Sequence, residues 1–395
     1  MQLNRSLHLA YCTNIHRGES WGETFASLKN HTLAVRDKVC PNRPFGIGLR
    51  LSNHAAMALN DPTTRLEFRH WLDKNHCYVF TINGFPFGSF HGTRVKEQVY
   101  APDWTSPERL GYTNLLIDLL AYFLPAGVEG SVSTLPGSFK EFHPNIDALK
   151  AIRQNIWRCV EHIDRVCQQT GRRLHLGLEP EPLCLLESSA ETIHFFDHLR
   201  AEHPRDERLD RFLGVNYDTC HFAVEFEEPQ NALPCLVNHG IKISKIHLSS
   251  ALKVTPTPAA RAELKKYSDD VYLHQVVECD ASGNRSIFRD LPDALKYQSA
   301  KDLSEDADLA ANTEWRIHFH VPLHAPAAPP FENTSDHLLG VLDLLAECPE
   351  ICSHLEMETY TWEVLPPELK SQNVVDQLAA EYHWTLAHLK ERGLY

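Results

Sequence analysis

Short apolar, β-rich runs alternate with helical patterns along the chain, and this alternation constrains the fold more than any other feature. Strands that alternate with helices pair in parallel, because each helix returns the chain to the same edge of the sheet. Eight such units predict an α/β protein with a (β/α)8 TIM-barrel fold. The eight runs span residues 7–15, 45–52, 78–85, 128–135, 174–182, 212–218, 243–250 and 353–362.

The stretch from Asn145 to Gly171 shows the helical period most clearly. Its apolar residues recur every three or four positions, so they fall on one face of a helix, and Gly171 marks the predicted end. These residues are Ile146, Leu149, Ile152, Ile156, Val160, Ile163 and Cys167.

Residues 253–313 interrupt the alternation, since this stretch is charged, weakly periodic and rich in Ala and Asp. We interpret it as an insertion between strands 7 and 8 of a single barrel domain, residues 1–395. Residues 314–321, "EWRIHFHV", form a ninth candidate strand. The proline-rich segment 322–334 is the expected stiff return path to the barrel.

Composition excludes several classes of partner. The net charge is −14 and no lysine- or arginine-rich run occurs, which argues against binding to nucleic acid. The longest apolar patch has ten residues from Leu115 and contains Asp118, too short to insert into a membrane. The eleven cysteines include no CxxC pair and are typical of reduced thiols. We therefore expect a cytoplasmic protein with a small-molecule partner.

Reactive side chains follow four consecutive runs, at the strand ends where TIM barrels carry their chemistry. Each alone is more often a helix cap or a surface ion pair. Together they converge on one spot, where several unpaired carboxylates are costly without a cation. Carboxylate oxygens with an imidazole nitrogen suit Mn²⁺, Zn²⁺, Mg²⁺ or Co²⁺, so the pattern predicts a divalent metal ion. The residues are Glu179 and Glu181, then Asp218 with His221, then His247, then Glu356 and Glu358.

At these residues the sequence resembles the xylose-isomerase-like TIM-barrel superfamily, which includes sugar isomerases, ketose epimerases and endonuclease-IV-type enzymes. The epimerase pattern implies that Glu179 and Glu358 also form the catalytic acid/base pair, and that His221 binds substrate. In "LEMET", Glu358 and not Glu356 occupies the position at which the "LET" endings of similar proteins place their ligand. The metal ligands implied by the resemblance are Glu179, Asp218, His247 and Glu358.

Four stretches resemble the EboE-type metabolite traffic proteins, which accompany bacterial secondary-metabolite clusters. This resemblance implies a part in handling or exporting a metabolite precursor. The stretches are "NGFPFGSFHGTRVKEQVYAPDW", "LEPEPLCLLE", "NYDTCHFAVEFE" and "LEMETYTWEVLP".

The chain departs at two positions from the families that it resembles. Xylose isomerases proper have lysine in "EPKP" where this chain has Glu181, so their lysine-assisted hydride shift is not expected, and we assign Glu181 to substrate binding. Endonuclease-IV-type enzymes have histidine before "PG", where this chain has Leu135. The "HFH" pair matches the spacing of that family's third-metal ligands. His221, His318 and His320 therefore either hold a second ion or bind substrate oxygens.

Two connections after early strands supply further candidates for substrate binding. The glycine-punctuated loop "NGFPFGSFHG" follows the third run and ends near His91. Lys96 lies on the same connection, where it suits either an anionic substrate group or solvent. His16 follows the first run.

These residues lead to three functional hypotheses. The first is a divalent-metal-dependent isomerase or epimerase that acts on a sugar, polyol or cyclitol-like intermediate of secondary metabolism, by proton transfer through an enediolate. The second is a two-metal hydrolase of phosphoesters. The third is a non-catalytic protein that binds and hands over a metabolite.

Overall fold

The computed structural model describes residues 1–297, 313–325, 329–370 and 373–395. The strands in these ranges form two sheets. In chain order they are β1 (His8–Tyr11), β2 (Phe45–Arg50), β3 (Cys77–Asn83), β4 (Glu129–Thr134), β5 (Arg173–Leu178), β6 (Leu213–Asp218), β7 (Lys242–Leu248), β8 (Leu252–Val254), β9 (Val276–Cys279), β10 (Arg285–Phe288), β11 (Glu314–Ile317), β12 (Phe331–Asn333) and β13 (His354–Met357).

The larger sheet is the barrel. Within the described residues it has eight parallel strands in the order β1-β13-β7-β6-β5-β4-β3-β2. A parallel bridge between Cys12 and Gly48 brings the two outer strands together and closes the ring. The predicted (β/α)8 TIM barrel is confirmed. The run 353–362 is strand only as far as Met357, because a 3-10 turn, Tyr360–Glu363, follows.

Helices connect the barrel strands. The longest is capped by the Asn145 side chain, which accepts a hydrogen bond from the Ala148 amide, and it ends at Gly171, whose φ is +68°. Ile146 was predicted on its buried face but is 84% exposed, because it is the first residue of the helix. The described helices are α1 (Trp21–Ser27), α2 (Leu33–Val39), α3 (Asn53–Leu59), α4 (Pro62–Lys74), α5 (Pro107–Phe123), α6 (Ile146–Thr170), α7 (Ser189–Glu202), α8 (Arg208–Phe212), α9 (Thr219–Val224), α10 (Pro229–Asn238), α11 (Pro258–Leu264), α12 (Leu291–Lys296), α13 (Ser335–Glu347) and α14 (Val374–Glu391).

None of the helices in the described ranges combines the length and the apolar character needed to cross a membrane.

The smaller sheet lies between β7 and β13 in the sequence and has the order β10-β9-β11-β8-β12, with antiparallel pairing. The ninth candidate strand is β11, so it belongs to this sheet and not to the barrel. Buried Trp315, Ile317 and Phe319 contribute to an apolar cluster of its own. Residues 298–312 of the predicted insertion and 326–328 of the predicted return path lie outside the described residues.

Candidate metal centre

Four predicted residues meet at the carboxyl ends of four adjacent barrel strands. Glu179 follows β5, Asp218 ends β6, His247 lies near the end of β7, and Glu358 follows β13. One ligand atom from each lies within 4.8 Å of those from the other three. The side chains are buried, with exposures of 0–4%. We call this set the four-residue cluster.

The Nδ1 atom of His247 lies at the middle of the cluster. It is 3.0 Å from Glu179 Oε1, 3.1 Å from Glu358 Oε2 and 3.4 Å from Asp218 Oδ2. Among the described residues, Glu179 Oε2 and Asp218 Oδ2 are buried without a hydrogen-bond partner. Buried carboxylate oxygens without partners are costly, and three of these groups beside one imidazole nitrogen fit a divalent cation. The residues therefore suit the predicted metal ion.

Neighbouring groups hold two of the carboxylates in place. Asp218 Oδ1 accepts hydrogen bonds from the Cys220 amide at 2.7 Å, the His221 amide at 3.0 Å and the Ser249 hydroxyl at 2.7 Å. These contacts make it the cap of α9 and leave Oδ2 directed at the cluster. Glu358 Oε1 in turn accepts from two asparagine amides, Asn14 at 2.8 Å and Asn83 at 3.0 Å.

The electrostatics favour positive charge at the centre. Burial raises the pKa of the Asp218 and Glu358 carboxyls, but nearby histidines outweigh this effect and hold both pKa values below their ordinary range. Burial lowers the pKa of His247, but the carboxylates of Glu358 and Glu179 outweigh it and raise that pKa well above its ordinary value. The carboxylates are therefore ionised, and a cation at the centre would take the place of the proton on His247.

His221, His318 and His320, the histidine trio, lie together beside the cluster. Their ring centroids are 4.6–5.6 Å apart. Each Nδ1 faces a fixed oxygen acceptor, which places the proton on Nδ1. The Nε2 atom of His320 has no hydrogen-bond partner among the described residues, and that of His318 lies 3.5 Å from the Tyr360 hydroxyl. Ligand atoms of Asp218, His221 and His320 lie within 4.8 Å of one another. The acceptors are Pro180 O at 2.8 Å, Gln275 Oε1 at 2.8 Å and Glu358 O at 2.9 Å.

A cavity opens above the cluster. One side is polar and includes members of both the four-residue cluster and the histidine trio. The other side is mainly apolar and comes from the connection after β3 and from the segments around Tyr272 and Tyr360. The lining residues are Asn14, Asn83, Phe85, Pro86, Phe90, Val95, Lys96, Val99, Tyr100, Glu179, Glu181, His221, Tyr272, Leu273, His318, Glu358 and Tyr360.

Besides His221, two of the predicted substrate-binding residues line this cavity. Glu181 Oε1 accepts a hydrogen bond from the Tyr100 hydroxyl at 2.7 Å, and burial raises the pKa of Glu181 to about 7. The Lys96 ammonium donates to Asp290 Oδ2 at 2.6 Å and to two backbone carbonyls, Asp269 O at 2.8 Å and Tyr272 O at 2.6 Å. These three acceptors use all three of its N–H groups, so a contact between Lys96 and a substrate anion stays a prediction.

The other two candidates do not line the cavity. His91 contacts the Asn14 carbonyl through Nε2 and the Tyr272 hydroxyl through Nδ1, the latter at 2.6 Å. His16 contacts the Tyr11 hydroxyl at 2.9 Å and stacks on the His31 ring. Both histidines support the loops around the site, and direct substrate binding by either stays a prediction.

Sequence reasoning did not assign roles to four residues that contact the cluster or its support. Asn83 is the last residue of β3, so the rule that selected the other strand ends also applied to it. Asn14 lies just after β1 and matches the same rule. Lys245 and Glu356 precede His247 and Glu358 by two positions, and strand alternation places each pair on the same face. The rule of strand ends overlooks the deeper Lys245, and the choice of Glu358 as the metal ligand left Glu356 without a role.

No protein-family model matches the chain, and no curated protein matches it in sequence. Solved structures similar to it include the probable 3-DHS dehydratase AsbF involved in petrobactin synthesis from Bacillus anthracis, with 13% identity over 96% of this chain and 99% of that chain and a TM-score of 0.49. An L-ribulose 3-epimerase is 12% identical over 100% of this chain and 96% of its own, with a TM-score of 0.48. The IOLI protein with a binding zinc atom is 12% identical over 98% of this chain and 99% of its own, with a TM-score of 0.49. At these values the likenesses assign no activity.

Proposed function

We propose that this chain is a divalent-metal-dependent isomerase or epimerase. Its substrate would be a sugar, polyol or cyclitol-like small molecule, and its reaction would move a proton at a carbon next to a carbonyl. The supporting observation is that Glu179 and Glu358 both belong to the four-residue cluster and line the cavity above it. The same two carboxylates are therefore within reach of a cation and of a substrate.

The four-residue cluster would hold the ion. When bound, a divalent cation polarises a carbonyl group and stabilises the negative charge that develops on its oxygen. The chain itself supplies the acid/base groups and the walls that orient the substrate.

Glu179 and Glu358 are held differently, which suggests how they share the proton transfer. Glu179 Oε2 has no hydrogen-bond partner among the described residues, so it is free to take a proton from a substrate carbon. Glu358 is fixed by the amides of Asn14 and Asn83 and would pass a proton taken up from solvent water to the opposite face or to the neighbouring carbon. Removal of the proton gives an enediolate. Acid–base catalysis by positioned groups contributes roughly 10²–10⁴-fold to the rate.

The remaining polar groups of the cavity would orient the substrate. His221 and Glu181 both line the cavity. Because His221 Nδ1 donates to Pro180 O, its Nε2, 3.9 Å from Asp218 Oδ1, would be the atom that contacts a substrate hydroxyl. Lys96 also lines the cavity, but its ammonium group already donates hydrogen bonds to three acceptors of the protein. The described lining therefore favours an uncharged substrate over a phosphorylated one.

Metal analysis tests the first half of the proposal. The full-length protein, loaded with Mn²⁺, Co²⁺ or Zn²⁺ and desalted, should retain one ion per chain by mass spectrometry. Glu179→Gln and Asp218→Asn should each lose most of it. Glu381→Gln changes a fully buried glutamate outside the cluster and should retain the ion. A folded wild-type protein that retains none of the three metals would contradict the proposal.

Solvent exchange tests the second half. Neutral ketoses and inososes incubated with the loaded protein in D₂O should gain deuterium next to the carbonyl, measured by proton NMR. Glu179→Gln and Glu358→Gln should abolish the incorporation. If the metal-loaded protein binds one of these compounds without exchanging its protons, the non-catalytic binding protein becomes the better description.

The histidine trio favours a second candidate function, a two-metal hydrolase. Three imidazoles with their Nδ1 protons held by fixed acceptors match the way in which proteins prepare histidine ligands for metals. A second ion beside Asp218 would then activate water against a phosphoester. Two ions per chain, loss of one in His320→Ala, and turnover of bis-p-nitrophenyl phosphate would support this function over isomerisation.

The biological setting rests on the EboE-type resemblance alone. A role in handling a precursor of secondary metabolism, in the cytoplasm, stays a prediction. Loss of product in a strain that carries Glu179→Gln at the chromosomal locus would support it.

A further inference from the structure

A lysine–glutamate pair lies inside the barrel directly beneath the four-residue cluster. Lys245 Nζ is 2.5 Å from Glu356 Oε2, and both side chains are fully buried. Lys245 lies two residues before His247 on β7, so the two side chains share one face of the strand. Glu356 on β13 is the register partner of His247.

The lysine–glutamate pair also contacts His247. Glu356 Oε2 also lies 2.8 Å from His247 Nε2, the ring nitrogen that faces away from the cluster. Two buried charges cost free energy when they leave water, so a buried ion pair by itself is weak evidence of stabilisation. Orientation of the His247 imidazole would explain why the chain has a buried ion pair at this position.

The barrel makes room for the Glu356 carboxylate at one position. A Cβ atom at Gly48 on β2 would lie 1.9 Å from Glu356 Oε1 and 2.7 Å from the Tyr11 carbonyl oxygen. Glycine is needed here for space and not for its backbone conformation, since Gly48 does not adopt the left-handed region. The chain thus combines a lysine, a glutamate and a glycine at one point behind His247.

We infer that Lys245 and Glu356 are positioning residues for His247. Glu356 accepts the hydrogen bond from Nε2–H, which leaves the Nδ1 lone pair facing the rest of the four-residue cluster. Lys245 compensates the charge of Glu356 and holds its carboxylate in place. The inference rests on the proposed function, because it assigns the pair a role towards the proposed ion. Loss of such an outer partner typically lowers metal affinity by about 10–100-fold.

The test uses the full-length protein with Co²⁺ as the probe. Affinity is measured by competition with a chelator, and the ligand field by visible absorption. The double variant Lys245→Met/Glu356→Gln should bind Co²⁺ about 10–100-fold more weakly than wild type and show altered absorption bands. A purely structural pair would lower the unfolding midpoint without changing the bands.

A second lysine–glutamate pair, whose lysine also lies on β7 and whose glutamate lies on β4, is the matched control. Lys242 Nζ is 3.0 Å from Glu129 Oε1, at the opposite end of β7, with both side chains about 30% exposed. Lys242→Met/Glu129→Gln should retain the wild-type affinity and spectrum.

Wild-type affinity and bands in a folded Lys245→Met/Glu356→Gln protein would overturn the inference and leave the proposed function intact. If that variant does not fold, Glu356→Asp decides, since it keeps the charge beside Lys245 but withdraws the carboxylate from His247. It should also weaken Co²⁺ binding, and unchanged affinity would overturn the inference. A folded wild-type protein that binds no Co²⁺, Mn²⁺ or Zn²⁺ would overturn the proposed function, and the inference with it.

Discussion

Single side chains around the site divide their polar atoms between the protein and the centre of the cluster. Asp218 satisfies Oδ1 with three donors and leaves Oδ2 without a partner among the described residues. His320 similarly gives Nδ1–H to the Glu358 carbonyl and leaves Nε2 without one. Atoms fixed in this way need little reorganisation when a ligand binds. The site is therefore preorganised at the level of individual residues.

Gly48→Ala should be damaging, because its methyl group would overlap the Glu356 carboxylate. We expect a loss of about 1–3 kcal/mol in the free energy of unfolding, the usual cost of overpacking a core, together with weaker metal binding. Gly111→Ala is the control. This glycine lies on α5, where an added methyl group would meet open space, so alanine should stabilise the helix by about 0.5–1 kcal/mol. Equal effects on chemical denaturation would contradict the steric argument.

Glu381 on α14 predicts a pH dependence of stability. Burial raises its pKa to about 7, although Thr359 and Gln377 donate hydrogen bonds to its carboxyl. Between pH 4.5 and 7 the unfolded chain releases this proton while the folded protein keeps it, so wild-type stability falls as the pH rises. Glu381→Gln cannot ionise. Its free energy of unfolding, measured with urea, should therefore increase relative to that of wild type by about 3 kcal/mol between pH 4.5 and pH 7.5.

The exposed Glu391 on the same helix supplies the control for this titration. Glu391→Gln should show no comparable gain across the same pH range. A difference between Glu381→Gln and wild type that stays constant with pH would contradict the assigned titration.

At the scale of elements, helix α5 holds the connection that forms the apolar wall of the cavity. Arg109 is fully buried, and its guanidinium donates to Gly84 O at 2.9 Å, Phe85 O at 3.0 Å and Pro102 O at 2.8 Å. One side chain thus ties both ends of the connection after β3 to the same helix. The wall of the cavity depends on this contact as well as on its own apolar residues.

Arg109→Lys should loosen the connection, because one ammonium cannot reproduce the planar set of donors. We expect at least tenfold faster amide hydrogen exchange across residues 84–103 and a loss of about 2 kcal/mol in the free energy of unfolding. Arg69→Lys is the control, since the Arg69 guanidinium donates to an exposed helix-end carbonyl, that of Tyr122. Unchanged exchange in the Arg109 variant would show that the apolar packing alone holds the wall.

The order of strands explains why residues far apart in the sequence form one site. β5, β6, β7 and β13 are neighbours in the barrel, so their carboxyl ends present Glu179, Asp218, His247 and Glu358 side by side. The histidine trio has a different origin. His318 and His320 follow β11 of the small antiparallel sheet and reach the barrel from outside it.

At the scale of the whole molecule, the cluster concentrates negative charge in the interior. Glu179, Asp218 and Glu358 lie within a few ångströms of one another, while His247 supplies one opposing charge at most. Repulsion between buried carboxylates opposes folding, and a bound cation removes it. Stability and metal binding should therefore be linked in this protein.

This linkage predicts that metal reverses the order of the melting temperatures of wild type and Glu179→Gln. In EDTA the variant should melt at the higher temperature, because one of the repelling charges is gone. In Mn²⁺ or Zn²⁺ at about 100 times its dissociation constant, wild type should gain about 2.7 kcal/mol and become the more stable protein. Differential scanning fluorimetry measures both states. The same order of melting temperatures with and without metal would contradict the linkage.

The amino-acid sequence by itself determined the barrel and the four residues of the cluster. Local patterns predict the barrel and the convergence of its strand ends, since alternating strands and helices dictate parallel pairing. The choice of Glu179 and Glu358 over Glu181 and Glu356 came from the resemblance to the xylose-isomerase-like superfamily. Asn83 obeys the same rule and was within reach of sequence reasoning.

Only the tertiary structure decided what surrounds the cluster. Lys96 binds Asp290, 194 residues away, and His91 binds Tyr272, 181 residues away. Contacts at such separations leave no periodic signal in the sequence, so a histidine or lysine near a strand end reads the same whether it faces a cavity or supports a loop. The contact between Glu356 and His247 is likewise set by the neighbouring positions of β13 and β7 in the closed barrel.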